Sequence, residues 1–198
     1  MAIVFDTETT GLISPTMILE DQPFMIEIFA LKIDDKTLEE TDSFKRILNP
    51  GVKLKPIITK ITGLTDKDLA DEPRFSKIYR DLCEFFCGER VAVAHNFPFD
   101  RDIVHFELQR LGREKAFPWP FYQVCTIEHS MHIRGHRMKL QDLYTHFFGE
   151  KFSGAHRAEE DVRALHAIYR HMIQSGIVDV PPHNQNGVQL SDGLRQAN

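Results

Sequence analysis

Three segments in the first quarter of the chain have the apolar pattern of β-strands. The first, residues 2–5, is an unbroken apolar run of the kind that forms a strand buried on both faces. Two further strands are predicted over residues 27–33 and 41–48, and the last of them runs into an Asn-Pro-Gly turn signal. We interpret the three segments as a meander.

The rest of the chain alternates between helical segments and short strands. Apolar spacing, together with proline and glycine at the expected ends, predicts helices over residues 75–87, 98–111, 140–148 and 157–175. Short strands are predicted over residues 91–94 and 122–126. Strands followed by alternating helices and strands predict an α/β fold in which helices pack on a mixed sheet.

The helical pattern lapses after residue 176. We therefore expect one domain over residues 1–176, followed by a poorly ordered tail over residues 177–198 that is rich in Pro, Asn, Gln and Gly. A chain of 198 residues has the size of one compact domain, so a second full domain is not expected.

Composition excludes several classes of protein without indicating an activity. No apolar run approaches the roughly 20 residues of a membrane span, and the N-terminal residues lack the features of a secretory signal. We therefore expect a cytoplasmic protein that does not contact a membrane. The formal net charge of −5 argues against a broad basic surface for nucleic acid.

The 3 cysteines form no C-x-x-C pair, which argues against a disulfide framework and a thiolate zinc site. Cys83 and Cys87 are interpreted as core residues.

The candidate chemistry lies in four acidic residues. Asp6 and Glu8 directly follow the first strand, and residues two apart on an extended chain point to the same side. Asp100 lies near the start of a predicted helix, where a favourable interaction with the helix dipole is the alternative explanation. Asp161 falls on the apolar stripe of the last helix, where a carboxylate is costly unless it is paired or binds a cation.

A single site would explain all four acids. Two divalent cations held by clustered carboxylates can activate a water and stabilise the leaving oxygen when a phosphodiester is hydrolysed. Oxygen ligands without cysteine indicate Mg²⁺ or Mn²⁺ rather than structural zinc.

His156 is the candidate base for such a site. It precedes Asp161 by five residues, so on one continuous helix the two side chains would point about 140° apart. We therefore expect His156 to precede the helix, where the flexible segment 153–155 would let it reach the attacking water. A solvated loop histidine is the alternative.

These residues resemble a known family. In order and spacing, three segments resemble the motifs of the DEDDh exonucleases: DTETTG at 6–11, HNFPFD at 95–100 and HRAEED at 156–161. This class includes the DnaQ-like proofreading subunits of bacterial replicative polymerases. Weaker similarity at 61–70, 124–127 and 139–144 extends the resemblance over roughly residues 2–172. It implies a ribonuclease-H-like fold, with a five-stranded mixed sheet flanked by helices, and 3′-to-5′ exonuclease activity.

The resemblance also implies a role for each candidate residue. Asp6 would bridge two metals, while Glu8 and Asp161 would hold the metal that bears the attacking water. Asp100 would serve the second metal directly or through water, and His156 would accept the proton. Substrate contacts are implied for Thr9, Gly11, Leu12, His95, Asn96 and Phe99.

Among the implied substrate contacts, Leu12 would wedge against the terminal base, with a plain core leucine as the alternative. Backbone amides near Thr9 and Gly11 would reach the 3′ hydroxyl. His95 and Asn96 would shape the floor of the site, and Phe99 would pack beneath it.

Single-stranded or frayed DNA with a free 3′ end is the expected substrate, because residues 9–10 and 95–96 resemble the proofreading type. RNA is the alternative substrate, and a non-catalytic subunit that keeps the fold is the alternative function. A replication or polymerase partner is a further expectation of the resemblance.

Three weaker patterns have ordinary explanations beside them. His129, His132 and His136 have the spacing of one helix face, which would suit zinc if Gly135 did not interrupt the run. A basic segment over residues 134–139 would suit backbone phosphates or be a solvated loop. Residues 189–194 loosely resemble a clamp-binding peptide, with an ordinary disordered terminus as the alternative.

Overall fold

The computed structural model describes residues 1–113 and 117–180. Within them lie five strands: β1 (Ala2–Thr9), β2 (Met25–Ile33), β3 (Glu40–Ile47), β4 (Val91–Ala94) and β5 (Tyr122–Cys125). The helices are α1 (Pro56–Thr62), α2 (Asp66–Leu69), α3 (Phe75–Phe86), α4 (Phe97–Arg110), α5 (Thr126–Arg134), α6 (Leu140–Phe148) and α7 (Ala158–Gln174). A short 3₁₀ turn covers Leu19–Asp21.

The strands form one mixed sheet in the order β3-β2-β1-β4-β5. β1, β2 and β3 pair in antiparallel fashion, whereas β4 and β5 continue the sheet parallel to β1. The meander and the five-stranded mixed sheet are therefore confirmed. Because β1 is the central strand, the residues at its C-terminal end lie at the middle of the sheet.

Alternate residues of β1 enter two different cores. Ile3 and Phe5 pack with α3 and α4 on one face, where Phe86 and Phe97 contact the Phe5 ring edge-on. Ala2 and Val4 pack on the other face with the apolar stripe of α7. Both faces of the strand are buried, as its apolar run predicts.

Most predicted elements match the observed ones within a few residues at each end. The predictions missed α1, α2 and α5. α1 and α2 are too short for apolar periodicity to reveal them, and α2 depends on a capping box between Thr65 and Asp68. α5 continues directly from β5, so no turn signal separates the two.

Two further expectations concern the cysteines and the tail. Cys125 is buried, but Cys83 is only partly buried and Cys87 is exposed, so the core assignment was wrong for Cys87. Cys87 follows the last residue of α3 and lies beyond the helix face that packs on the sheet.

Of the expected tail, residues 181–198 and the peptide at 189–194 lie outside the described residues. No helix of the described part is both long and apolar enough to cross a bilayer.

Candidate active site

The alternation of β1 determines where the acids at its C-terminal end point. Asp6 and Glu8 continue the series of Ala2 and Val4, which faces α7. Thr7 continues the series of Ile3 and Phe5, which faces α4. Acids on these two helices can therefore reach opposite sides of the same strand end.

Asp6, Glu8 and Asp161 form a triad of carboxylates on the α7 side. Each offers one oxygen, and the three oxygens all lie within 4.8 Å of one another. Asp161 lies in the first turn of α7 with only 9 % of its surface exposed. Among the described residues, no other group of histidine, cysteine and acidic side chains is close enough to share a metal ion.

Burial raises the pKa of all three carboxyls, and repulsion from neighbouring acids adds to the effect. The pKa of Asp6 lies well above its usual range because of burial, with further repulsion from Asp100 and Glu8. Burial and the charge of Asp161 raise the pKa of Glu8 to about 8. Burial raises the pKa of Asp161 to about 6, although the backbone of His156 opposes the shift. A divalent ion bound here would compete with protons for these carboxylates.

Asp100 lies outside this triad and contacts β1 at Thr7. Its Oδ1 accepts hydrogen bonds from the backbone nitrogen of Thr7 at 3.0 Å and from the Thr7 hydroxyl at 2.7 Å. Burial raises the pKa of Asp100 to about 7 against these bonds, and its charge in turn raises the pKa of Asp6. The four acids therefore occupy one region, three as a triad and the fourth bonded to Thr7.

His156 precedes the helix, as the spacing to Asp161 predicts. α7 begins at Ala158, and His156 lies in the irregular segment that leads into it. Its backbone has a φ of 73°, a left-handed conformation that is uncommon for a residue other than glycine. Its backbone nitrogen donates to Asp161 Oδ2 at 3.1 Å, which anchors the residue beside the triad.

A cavity of about 700 Å³ opens beside His156 and Asp161. Its lining includes Leu12 and Asn96, both expected to contact substrate. Leu12 is 82 % exposed, which excludes the alternative of a core leucine. Asn96 Oδ1 accepts a hydrogen bond from Arg137 at 2.8 Å, and the guanidinium of Arg137 also lines the cavity.

His95 also lines the cavity, but both of its ring nitrogens have protein partners. Nε2 lies 3.0 Å from the carbonyl oxygen of Met138, and Nδ1 lies 2.9 Å from the hydroxyl of Thr126. A carbonyl only accepts, so Nε2 donates and Nδ1 accepts from the hydroxyl. Burial lowers the pKa of His95 to about 4, which keeps the ring neutral. His95 therefore ties α5 and the segment before α6 to the end of β4.

The remaining expected substrate contacts lie around the strand and helix starts. The Thr9 hydroxyl donates to the carbonyl of Gly11 at 2.6 Å, which shapes the turn after β1. A Cβ at Gly11 would meet nothing within 4 Å, so crowding does not require glycine there. Phe99 is half-buried and packs against the core that contains Phe97, beneath the strand end.

Sequence reasoning missed Glu27 and Arg157. Glu27 pairs directly opposite Glu8 in the antiparallel register and is completely buried. Arg157 donates to both of its carboxylate oxygens, at 3.0 and 3.1 Å. The available signal was a glutamate inside an otherwise apolar strand, since a buried acid needs a partner.

The three histidines considered for zinc do not form a site. α5 ends at Arg134, with Gly135 in a left-handed conformation, so His136 lies beyond the helix that carries His129 and His132. All three side chains are exposed. The glycine thus interrupts the helical spacing on which the zinc interpretation depended.

Comparison with known proteins identifies the family. A family model described as an exonuclease of the RNase_T type matches residues 3–169. The chain belongs to this exonuclease family. The matched range contains all three motifs, the triad, Asp100 and His156.

Curated relatives of this exonuclease include proteins named as bacterial DNA polymerase III. The DNA polymerase III subunit epsilon of Treponema pallidum is 33 % identical over 171 residues, covering 85 % of this chain and 74 % of the relative. A PolC-type DNA polymerase III of Caldanaerobacter subterraneus is 32 % identical over 173 residues. That match covers 87 % of this chain but 11 % of the relative, so the chain spans only a small part of that polymerase. These matches place the exonuclease among the DnaQ-like proteins.

Solved structures share the fold of this exonuclease. The nuclease domain of 3′hExo, a DEDDh family member bound to rAMP, has a TM-score of 0.74 at 16 % identity, covering 91 % of this chain and 96 % of that chain. Exonuclease X in complex with 5′ overhanging duplex DNA has a TM-score of 0.60 at 23 % identity, covering 89 % of this chain and 93 % of that chain. The ribonuclease-H-like fold predicted from the sequence is confirmed.

Proposed function

We propose that this exonuclease removes nucleotides from the 3′ end of single-stranded or frayed DNA and releases nucleoside 5′-monophosphates. The observation that carries the proposal is the triad of Asp6, Glu8 and Asp161, whose oxygens lie within 4.8 Å of one another beside an open cavity. Clustered carboxylates of this kind are suited to hard divalent cations, and we infer Mg²⁺ or Mn²⁺.

The donor set is consistent with two cations. Asp6, Glu8 and Asp161 would hold one, with Asp6 shared by a second that Asp100 serves directly or through water. When bound, such ions supply positive charge to the phosphate and lower the pKa of water. The chain's own part is to orient the acids and to place the His156 imidazole where it accepts the proton of the attacking water.

The cavity would receive the terminal nucleotide. A volume of about 700 Å³ is sufficient for a nucleotide. Leu12 offers an exposed apolar surface to the base, while Thr9 and Gly11 shape the turn whose amides would reach the 3′ hydroxyl. Asn96 would act through Arg137, and His95 would act by fixing the cavity wall. Phe99 would support the wall from beneath.

DNA is favoured over RNA because the motifs resemble the proofreading type and the relatives are named as DNA polymerase III components. RNA is the second candidate, since the structural neighbours include an exonuclease that recognises a histone mRNA stem-loop. A polymerase partner is also proposed from the relative named subunit epsilon. A purely structural subunit is disfavoured by the presence of all five candidate catalytic residues.

Matched DNA and RNA oligonucleotides labelled at the 5′ end test the substrate. With Mg²⁺ or Mn²⁺, we expect stepwise shortening of the DNA from the 3′ end, with nucleoside 5′-monophosphates as products. Shortening of RNA alone would overturn the DNA assignment. The absence of shortening for both substrates would overturn the proposed activity.

A further inference from the structure

An ion pair between the buried Glu27 and the partly exposed Arg157 lies beside the carboxylate triad. Glu27 is 0 % exposed and lies opposite Glu8 on the neighbouring strand. Its charge raises the pKa of Asp6, Glu8 and Asp161, so an unpaired Glu27 would add repulsion to a site already crowded with acids. A buried carboxylate in such a position needs a strong partner.

Arg157 provides that partner with both arms of its guanidinium. Nε donates to Glu27 Oε2 at 3.0 Å, and Nη2 donates to Oε1 at 3.1 Å. Two parallel bonds fix the plane and direction of the guanidinium, which a single bond would not do. The side chain of Arg157 is thereby fixed to β2, the neighbour of the central strand β1.

Arg157 directly follows His156 and is the N-cap residue of α7. His156 therefore has two anchors: its own backbone nitrogen on Asp161, and the side chain of the next residue on Glu27. The chain before it is irregular, with Gly154 in a left-handed conformation. The strained φ of His156 persists only when its surroundings hold it.

We propose that Glu27 and Arg157 form a positioning pair. The pair fixes the irregular segment before α7 that carries His156, so that the imidazole of His156 is held beside the triad. The inference deepens the proposed function and rests on it. Neither residue contacts the reacting atoms. Both act on catalysis through His156.

Arg157→Gln tests the pair. A misplaced base slows the chemical step, so we expect kcat on single-stranded DNA to fall about 10- to 100-fold with KM nearly unchanged. Arg157→Lys keeps the positive charge but cannot form the two parallel hydrogen bonds of the guanidinium, so its kcat should lie between those of Arg157→Gln and the wild type. Arg163→Gln is the matched control, because it breaks an exposed pair with Glu159 on the same helix and should leave kcat unchanged.

Because an unpaired, buried Glu27 in Arg157→Gln could unfold the protein, a second variant is needed. The double variant Glu27→Gln/Arg157→Gln removes the buried charge together with its partner, and circular dichroism would confirm that it is folded. We expect its kcat to be about as low as that of Arg157→Gln, since both variants lose the contact between residues 27 and 157. A folded double variant with the wild-type kcat would overturn the proposal.

The His156→Ala background separates positioning from a general structural role. Because the pair acts through His156, adding Glu27→Gln/Arg157→Gln to His156→Ala, which leaves no unpaired carboxylate beside the triad, should lower kcat no further. A further loss of about 10-fold or more in that background would overturn the positioning role. Wild-type activity of His156→Ala would refute the role of His156 as base and the positioning role with it, whereas a wild-type protein that shortens neither DNA nor RNA would refute the proposed function, so the two failures are distinguishable.

Discussion

Asp100 Oδ1 accepts hydrogen bonds from both the backbone nitrogen and the hydroxyl of Thr7, at 3.0 and 2.7 Å. Thr7 lies between Asp6 and Glu8 on β1, with its side chain on the opposite face of the strand. An acid from α4 is thereby tied to the same three-residue segment that supplies two members of the triad. This connection keeps Asp100 close enough to raise the pKa of Asp6.

Thr7→Val removes the hydroxyl bond and keeps the shape of the side chain. Because the bonds from Thr7 lower the pKa of Asp100 against burial, their partial loss should raise that pKa further. The acidic limb of the kcat/KM profile should move to higher pH, with activity recovering above about pH 8. Thr7→Ser, which keeps a hydroxyl, should follow the wild-type profile. Superimposable profiles for wild type and Thr7→Val would contradict this role.

The raised carboxyl pKa values predict a stability that depends on pH and metal. Glu8 shifts from 4.5 to about 8 and Asp161 from 3.8 to about 6, so the folded metal-free protein holds protons that the unfolded chain releases. The stability from these protons is full below about pH 4 and is lost as pH rises through 6 to 8.

Thermal unfolding with and without Mg²⁺ tests this expectation. In EDTA, Tm should fall between pH 5.5 and 8, whereas saturating Mg²⁺ should raise Tm by about 5–10 °C at pH 8 and less at pH 5.5. Glu8→Gln should reduce the rise in Tm that Mg²⁺ causes. A rise in Tm that is equal at both pH values, or larger at pH 5.5, would count against a carboxylate metal site.

Leu12→Ala separates substrate contact from stability. The side chain is 82 % exposed, so its loss should change Tm by no more than about 2 °C. Loss of an apolar contact with the terminal base should raise KM for single-stranded DNA about 5- to 10-fold. Ile18 is also an exposed apolar residue, but it does not line the cavity. Ile18→Ala should therefore change neither Tm nor KM. A lower Tm with an unchanged KM would assign Leu12 to packing.

Arg137→Gln tests the basic segment beside the cavity. Arg137 is exposed, and among the described residues it bonds the neutral amide of Asn96 rather than a carboxylate, so its charge is available to a backbone phosphate. KM should rise, and the dependence of log KM on log salt concentration should weaken by about 0.7 per phosphate contact. Lys77→Gln, an exposed change on α3, is the control. An unchanged salt dependence would support the solvated-loop interpretation.

Much of the fold was predictable because strong apolar periodicity marks its strands and helices. The spacing between His156 and Asp161 also sufficed to place the histidine before α7. Sequence alone did not show which face of the sheet α4 covers, so it could not separate Asp100 from the triad. Nor could it pair Glu27 with Arg157, since 130 positions separate them and the register of β2 decides their contact.

The central claim is that Asp6 helps to hold cations that the reaction requires. Release of nucleoside 5′-monophosphates from single-stranded DNA, measured against Mg²⁺ concentration for Asp6→Ala, tests it most directly. A cation contributes several kcal/mol, so we predict a loss of about 10³-fold at every concentration, whereas the exposed-site control Asp71→Asn should match wild type. Release by Asp6→Ala at the wild-type rate would contradict the account.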